Sequence, residues 1–315
     1  MGGNGNSGGH PRTPGSRGLV AVGLACVLAG LAGCGGGKAD AARDDKRLEQ
    51  QIGIDDDGIR LKQTTAENLM RDCMKTQGFD YVPQDPAAQQ AALVGGAGMS
   101  KEDFEKQFGY GITTLYDQRR KLAVAGPNKG IRDSLSEADR KAYDHALHGD
   151  DATATFADAL DSGDYSRLGG CIKKATDEVF GGADVLSSLS SKLDELDQKM
   201  RADARMVKAV KEWSACMREK GFDGLAEQED VDAVLKKKLE EIVGAPGDGS
   251  GADGPEAEYD KAALAALQKE EVAMVKADTE CEEEHVEKVE DKVAVEYEQA
   301  FREQNSALLS KVPKQ

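Results

Sequence analysis

Apolar residues recur at helical spacing along much of the chain. From Leu186 to Met217 they stand three or four positions apart, with Asp203 among the polar interruptions. Over residues 259–309 there is neither Gly nor Pro, and apolar residues again recur at mostly helical intervals. The two patterns predict an amphipathic helix that ends near Met217 and one long C-terminal helix, straight or kinked. An exposed coiled coil is the alternative for both, but the polar interruptions favour packing within one body.

Local signals support the same fold class. A hydroxyl residue followed three positions later by an acid, the pattern of a helix N-terminal capping box, begins at Thr64, Ser100 and Ser136. Residues 83–98 and 244–255 have loop composition, apart from a short Ala/Gln run in the first. Alternation of β-branched and polar residues, which indicates strands, is confined to a few positions. The fold is therefore predicted to be mostly α.

An eight-residue segment occurs twice. Residues 73–80 read Cys-Met-Lys-Thr-Gln-Gly-Phe-Asp and residues 216–223 read Cys-Met-Arg-Glu-Lys-Gly-Phe-Asp, so five of the eight positions are identical. This spacing fits a Schellman helix end, in which a left-handed glycine follows the last turn and the next apolar residue contacts that turn. Two unrelated helix ends that agree by chance are the alternative. The predicted helix-end residues are Met74, Gly78, Phe79, Met217, Gly221 and Phe222.

The amino terminus has the order of a bacterial signal peptide. Residues 1–18 are Gly, Pro and polar with two arginines, residues 19–29 are an apolar run, and a Leu-Ala-Gly-Cys sequence ends at Cys34. The last four residues resemble the lipobox, whose cysteine thiol carries a diacylglycerol. An uncleaved spanning helix is the alternative because residues 18–37 are uncharged, but seven glycines there argue against it. Cys34 is the expected lipidation site, which places the body on the outer face of the cytoplasmic membrane.

Four cysteines remain once the one inside the signal and the lipidated one are set aside. In an oxidising compartment four cysteines make two disulfides the expected arrangement, and three pairings are possible. Zinc ligation by the four thiols is the competing idea, but no two of them have the close C-x-x-C spacing of zinc sites. Each copy of the repeat is followed by one further cysteine, which favours pairing Cys73 with Cys171 and Cys216 with Cys281.

Composition divides the chain into four parts. Residues 1–33 are the expected signal peptide, and residues 34–57, which lack an apolar period, are expected to be the lipidated cysteine and a flexible tether. Residues 58–182 and 183–315 are expected to be two similar helical halves, each stapled by one disulfide.

Charge and composition argue against several functions. The chain has 58 acidic against 41 basic residues, a formal net charge of −17. Such a field repels nucleic-acid backbones, so no nucleic-acid partner is expected. Four histidines, 5% aromatic residues and the lack of G-x-S-x-G, Walker or dinucleotide motifs predict a protein that is not an enzyme and has no cofactor.

Three features could bind metal, but each has a simpler interpretation. His145 and His148 stand three apart on the helix that begins at Ser136, without the carboxylate motif of metalloproteases. His285 follows three glutamates in a strongly acidic stretch, which is typical of a solvated helix face. The run at residues 55–58 lacks the alternating oxygen spacing of a calcium loop. No metal is therefore expected.

These motifs together resemble secreted lipoproteins of actinobacteria. The likeness is carried by the lipobox, the repeats, Phe-Gly-Tyr-Gly-Ile-Thr-Thr at 108–114, and Leu-Ser-Glu-Ala-Asp-Arg-Lys-Ala-Tyr at 135–143 before Gly-Gly-Cys at 169–171. It covers most of the mature chain as far as Cys281. Because such proteins are mostly uncharacterised, the resemblance implies disulfide and helix-packing positions and no catalytic residue.

Two classes of function follow from this resemblance and composition. The first is a tethered binding or interaction module for an unknown envelope protein or a small cationic or amphipathic ligand. Its candidate contacts are Tyr110, Tyr116 and Trp213, for each of which core packing is the alternative. The second is a structural or accessory lipoprotein of a transporter or envelope assembly. A two-lobed α/β solute receptor is disfavoured because strands are missing.

Overall fold

The computed structural model describes residues 47–94, 99–119, 126–156, 159, 162–244 and 259–313, in which helices are the only regular secondary structure. These ranges contain twelve α-helices, one 3-10 turn and no strand, which confirms the mostly α prediction. In chain order the helices are α1 Leu48–Ile52, α2 Asp56–Thr76, α3 Pro86–Val94, α4 Lys101–Phe108, α5 Pro127–Ser134, α6 Glu137–His148, α7 Gly170–Phe180, α8 Ala183–Arg201, α9 Ala204–Glu219, α10 Glu229–Val243, α11 Lys261–His285 and α12 Glu287–Leu309.

The first half is built around α2, which packs against α7, while α6 packs on both. A small apolar cluster fills the space between these three helices, with Met74, Tyr143 and Cys171 at its centre. The ring of Phe79 stands edge-on to the ring of Tyr143, with centroids 5.5 Å apart. The first copy of the repeat therefore lies where the three helices meet.

The second half packs α8 against α12, and both α9 and α10 against α11. Its core includes Leu193, Trp213 and Val293, all with no exposed surface. Ile59 and Val179 of the first half belong to the same apolar cluster. The two halves therefore share one core, and each contains one helix that ends in the repeated motif.

The predicted tether is too long at its C-terminal end. Residues 47–57 contain α1 and the start of α2, and Leu48 and Ile52 are only 1% and 7% exposed. This segment is held because its apolar side chains enter the main core and α1 lies against α12. The expected signal peptide, the lipidation site Cys34 and the tether up to residue 46 lie outside the described residues.

Two of the three predicted helix starts are confirmed. The hydroxyls of Ser100 and Ser136 accept hydrogen bonds from N–H groups three residues on, at the starts of α4 and α6. The start at Thr64 is wrong because α2 begins at Asp56, where the Asp55 carboxylate caps it. The Thr64 hydroxyl instead donates to the Arg60 carbonyl oxygen, four residues earlier in the same helix.

The predicted helix from 186 to 217 is two helices, because the chain breaks between α8 and α9. Asp203 lies at the break and its carboxylate accepts from the Arg205 N–H, so the noted polar interruption caps a new helix. The predicted C-terminal helix is likewise divided at Val286, where φ is −106° and ψ is −54°. The break at Val286 is a kink, one of the two forms predicted for the C-terminal helix.

The loop prediction for residues 83–98 excepted the Ala/Gln run, which lies in α3, Pro86–Val94; the prediction is wrong only at the two ends of this helix, where Pro86, Leu93 and Val94 extend it. Of the second predicted loop, only residue 244 lies within the described residues. In the described ranges, no helix combines the length and the apolar character that a membrane crossing requires.

Candidate functional site

Both copies of the repeat end a helix with Schellman geometry, as predicted. The Phe79 N–H donates to the Met74 carbonyl at 3.0 Å, and the Phe222 N–H donates to the Met217 carbonyl at 2.9 Å. The glycine of each copy has positive φ, 84° at Gly78 and 95° at Gly221. A side chain at either glycine would meet no atom within 4 Å, so the left-handed backbone is the reason for glycine at both positions.

The cysteine pairing favoured by the repeat is confirmed. Cys73 in the last turn of α2 is bonded to Cys171 in the first turn of α7, and Cys216 in the last turn of α9 is bonded to Cys281 in α11. In each pair the motif cysteine is half-buried, and its partner is 0–1% exposed. Each disulfide therefore fixes a helix end to a buried neighbouring helix.

The most extensive buried polar contact is a carboxylate surrounded by the loop at residues 109–114. Glu271 on α11 has no exposed surface. Its two oxygens accept from the N–H groups of Ile112, Thr113 and Thr114 at 2.7, 2.8 and 3.0 Å, and from the Thr113 hydroxyl at 2.5 Å. Successive N–H groups that converge in this way form an anion-binding nest. The loop thus binds a carboxylate of its own chain.

Two glycines fit the loop into crowded surroundings, Gly109 against α11 and Gly111 against α4 and the residue after the loop. Gly109 has φ 62°, and a Cβ there would stand 2.7 Å from the Cγ of Glu271. Gly111 has φ 71°, and a Cβ there would meet Leu115 at 2.9 Å and Phe104 at 3.2 Å. The left-handed backbone and the lack of space therefore both disfavour a side chain at these two positions.

A second buried carboxylate lies two turns further along α11. Asp278 is 1% exposed, and it accepts from the indole N–H of Trp213 at 2.8 Å and from the hydroxyl of Tyr110. Burial, and then the negative charge of Asp278, raise the pKa of Tyr110 well above its usual value. Both ends of the 109–114 loop are thus bonded to α11.

A third buried carboxylate joins α12 to the N-terminal segment. Glu298 is 2% exposed and lies 3.0 Å from the Arg47 guanidinium. It also accepts from the Leu48 N–H at 2.8 Å and from Arg302 at 3.1 Å. This contact explains why α1 packs on the body and does not continue the tether.

Sequence analysis did not single out these three acids as buried, although their spacing carries a signal. Along α11 the buried positions follow intervals of three and four, and Glu271 and Asp278 occupy that apolar stripe. Glu298 is in the same relation to Ala294 and Phe301 on α12. A charged residue in phase with a core stripe indicates a buried partner, but it does not say which one.

One buried lysine has no carboxylate in ion-pair contact within the described ranges. Lys62 on α2 is 1% exposed, and its ammonium donates to the carbonyl oxygens of Val179 at 3.2 Å and Pro313 at 3.4 Å. It also lies 5.2 Å from the centroid of the Phe180 ring. Burial lowers the pKa of Lys62. The side chain ties the C-terminal segment to the end of α7.

The structure places the three candidate aromatic residues in different surroundings. Trp213 is completely buried, so it is not a surface contact. The Tyr110 hydroxyl is bonded to Asp278, and the Tyr116 ring stands edge-on to the ring of Tyr259 at 5.9 Å. Core packing, the alternative given for each, accounts for Trp213 and Tyr110, whereas Tyr116 is half-buried and belongs to none of the apolar clusters of the described residues.

The candidate metal-binding residues lie in separate places. His145 contacts Asp150 at 3.2 Å, His148 contacts a backbone carbonyl, and Asp55 caps α2. His285 differs, because one of its ring nitrogens, a carboxylate oxygen of Glu284 and the sulfur of Cys216 lie within 4.8 Å of one another. Sequence analysis missed this group because Cys216 comes from another helix.

The buried polar groups and disulfides of the described residues join segments of this chain to one another. Glu271, Asp278 and Glu298 each accept N–H or O–H groups from another segment, and the two disulfides join four helices. No protein-family model matches the chain, and no curated protein or solved structure is significantly similar to it.

Proposed function

We propose that this protein is a lipid-anchored lipoprotein on the outer face of the cytoplasmic membrane that acts as a non-catalytic interaction module. The observation that carries the proposal is the coexistence of a lipobox-like sequence ending at Cys34 with a body fixed by two disulfides. Disulfides persist in oxidising compartments, which is where a lipidated cysteine would place the body. The resemblance to actinobacterial lipoproteins supports the same assignment.

The position of α1 sets how far the body can stand from the anchor. The described body begins at Arg47, 13 residues after Cys34. A fully extended chain of that length reaches roughly 45 Å at most. The body therefore works close to the membrane surface, so a partner in or beside the membrane fits better than a distant one.

Charge indicates the chemistry of the partner. Without the first 33 residues, in which Arg12 and Arg17 are the only charged side chains, the net charge is −19. A body with this charge attracts cationic or amphipathic groups and repels anionic lipids and nucleic acids. The proposed partner is therefore an envelope protein with a basic surface, or a small cationic or amphipathic ligand.

The proposal is tested by crosslinking in intact cells through a C-terminal tag, with the parent, Cys34→Ala and Cys26→Ala proteins compared. The parent is expected to yield crosslinked membrane partners whose contacting peptides are basic. Cys34→Ala should lose them because the anchor is missing. Cys26→Ala, which changes a cysteine inside the signal, should retain them. A parent protein without crosslinked partners, or with only acidic contact peptides, would contradict the proposal.

A further inference from the structure

The second disulfide lies beside two further side chains that bind metals. The sulfur of Cys216, a carboxylate oxygen of Glu284 and a ring nitrogen of His285 are mutually within 4.8 Å, and no other group of three such side chains occurs in the described residues. The sulfur of Cys281 is bonded to that of Cys216, although it does not itself belong to this group of three. Three side chains with sulfur, nitrogen and oxygen atoms therefore converge on one point, and a second sulfur is bonded to one of them.

The sequence places three of these residues on one face of α11. Cys281, Glu284 and His285 stand at positions i, i+3 and i+4, which are neighbours on a helix surface. Cys216 comes from the last turn of α9, the helix that packs against α11. Two packed helices thus supply all four groups without a contribution from any loop.

The local field favours a cation at this point. α9 ends at Glu219, so its carbonyl end, which carries partial negative charge, lies near Cys216. The carbonyl end of α11 at His285 is followed directly by the amino end of α12 at Glu287, which has the opposite partial charge. Glu280, Glu282 and Glu283 are adjacent in sequence, and the nearby Lys220 is engaged by Glu280 at 2.5 Å. A positively charged ion would be stabilised at this position by charges that would oppose an anion.

We propose that, before the Cys216–Cys281 bond forms, these two cysteines with Glu284 and His285 bind one Zn²⁺ ion. Two thiolates, an imidazole nitrogen and a carboxylate oxygen form a tetrahedral ligand set that zinc accepts. The site is distinct from ligation by all four cysteines, because these are divided between two disulfides. His285 has 26% of its side chain exposed, which leaves a path from solvent to the site.

Zinc binding and disulfide formation compete for the same two sulfurs. When zinc binds, each thiol loses a proton and no electron is transferred. When the disulfide forms, the two thiols give two protons and two electrons to a disulfide oxidant, which leaves as two thiols. Bound zinc would therefore delay oxidation of this pair and leave the Cys73–Cys171 pair unaffected.

The first test measures zinc stoichiometry on the purified protein, oxidised or fully reduced with a phosphine. Zn²⁺ is added in competition with a chromophoric chelator, and protein-bound zinc is measured after gel filtration. The reduced parent is expected to bind one equivalent and the oxidised parent none. His285→Ala should weaken zinc binding by at least tenfold. The matched control Cys73→Ser/Cys171→Ser, which removes the other pair, should keep it.

Three results would overturn the zinc site: a reduced parent that binds no zinc, equal binding by the oxidised protein, or unchanged binding by His285→Ala. Reduction could unfold the body, which circular dichroism would detect, so a second measurement follows the refolding protein. Reduced protein is reoxidised with and without Zn²⁺, and the two disulfides are followed by peptide mapping. Zinc should slow the formation of Cys216–Cys281 several-fold relative to Cys73–Cys171. Equal slowing of both bonds, or of neither, would overturn the proposal.

Discussion

Replacing Glu271 by Gln tests whether one buried carboxylate holds the 109–114 loop. The side chain keeps its shape, so no cavity forms, but an amide has one acceptor oxygen where the carboxylate has two. If that oxygen accepts from Thr113 and Thr114, the amide NH₂ faces the Ile112 N–H. In the parent this N–H donates to Glu271 at 2.7 Å. Two donors then oppose each other in a fully buried place.

The magnitude follows from the contacts that change. A hydrogen bond to a charged group contributes about 1.5–3 kcal/mol, and an unsatisfied buried donor costs about 1–3 kcal/mol. These contributions overlap, and the remaining bonds become neutral, so Glu271→Gln should destabilise the fold by about 3 kcal/mol. For a body of this size, that lowers Tm by roughly 6–12 °C.

The control is Glu270→Gln on the adjacent position of the same helix. Glu270 pairs with Lys238, and both side chains are more than a third exposed, at 38% and 41%. Such pairs contribute about 0–1 kcal/mol. Urea unfolding with disulfides intact, followed by far-UV circular dichroism, gives both values with comparable m-values. Equal stability of the two variants would refute the role given to Glu271.

Three further predictions use the same unfolding assay. Gly221→Val should cost about 1–2 kcal/mol through backbone strain alone, with Gly221→Asn milder; a Val variant as stable as the parent would mean that the glycine does not end the helix. Leu48→Ala should cost about 3 kcal/mol, against less than about 0.5 kcal/mol for the exposed Leu61→Ala; similar values would show that α1 does not dock. Burial raises the folded-state pKa of Glu290. The parent therefore gains stability as the pH falls from the folded-state pKa to the lower pKa of the unfolded chain. Glu290→Gln should therefore be more stable than the parent at neutral pH, with an advantage that shrinks on acidification, whereas an advantage independent of pH would contradict this account.

The features that could be predicted from sequence are local. The positions of Met217, Gly221 and Phe222 carry the whole geometry of a helix end, because its hydrogen bonds join residues at most five apart. Cysteine pairing is not local, but the repetition of that motif reduced three pairings to one. The helix starts at Ser100 and Ser136 have the same local character.

The errors arose where a distant contact decides the structure. Thr64 has the pattern of a helix start, yet α2 begins eight residues earlier because Asp55 caps it and Ile59 enters the shared core. Leu48 and Ile52 stand in a charged stretch that looks like tether. Their burial depends on α12, about 250 residues away, where Glu298 accepts from the Leu48 N–H. No local pattern contains that contact.

The candidate site shows the same division. Glu271 and Asp278 fall in the phase of an apolar stripe, which indicates burial, while the partners of Glu271 lie 157 to 159 residues earlier and those of Asp278 lie 168 and 65 residues earlier. The group around His285 combines an i, i+3, i+4 pattern on α11 with Cys216 from another helix. Its assembly follows from the second disulfide once that pairing is known.

The central claim, that a lipid on Cys34 holds this helical body at the membrane, is tested most directly by mass spectrometry of the N-terminal peptide of the mature protein from membranes. The account predicts a peptide that begins at Cys34 and carries a diacylglyceryl group on its sulfur. A mature protein that begins upstream of Cys34, or that carries an unmodified thiol there, would contradict it.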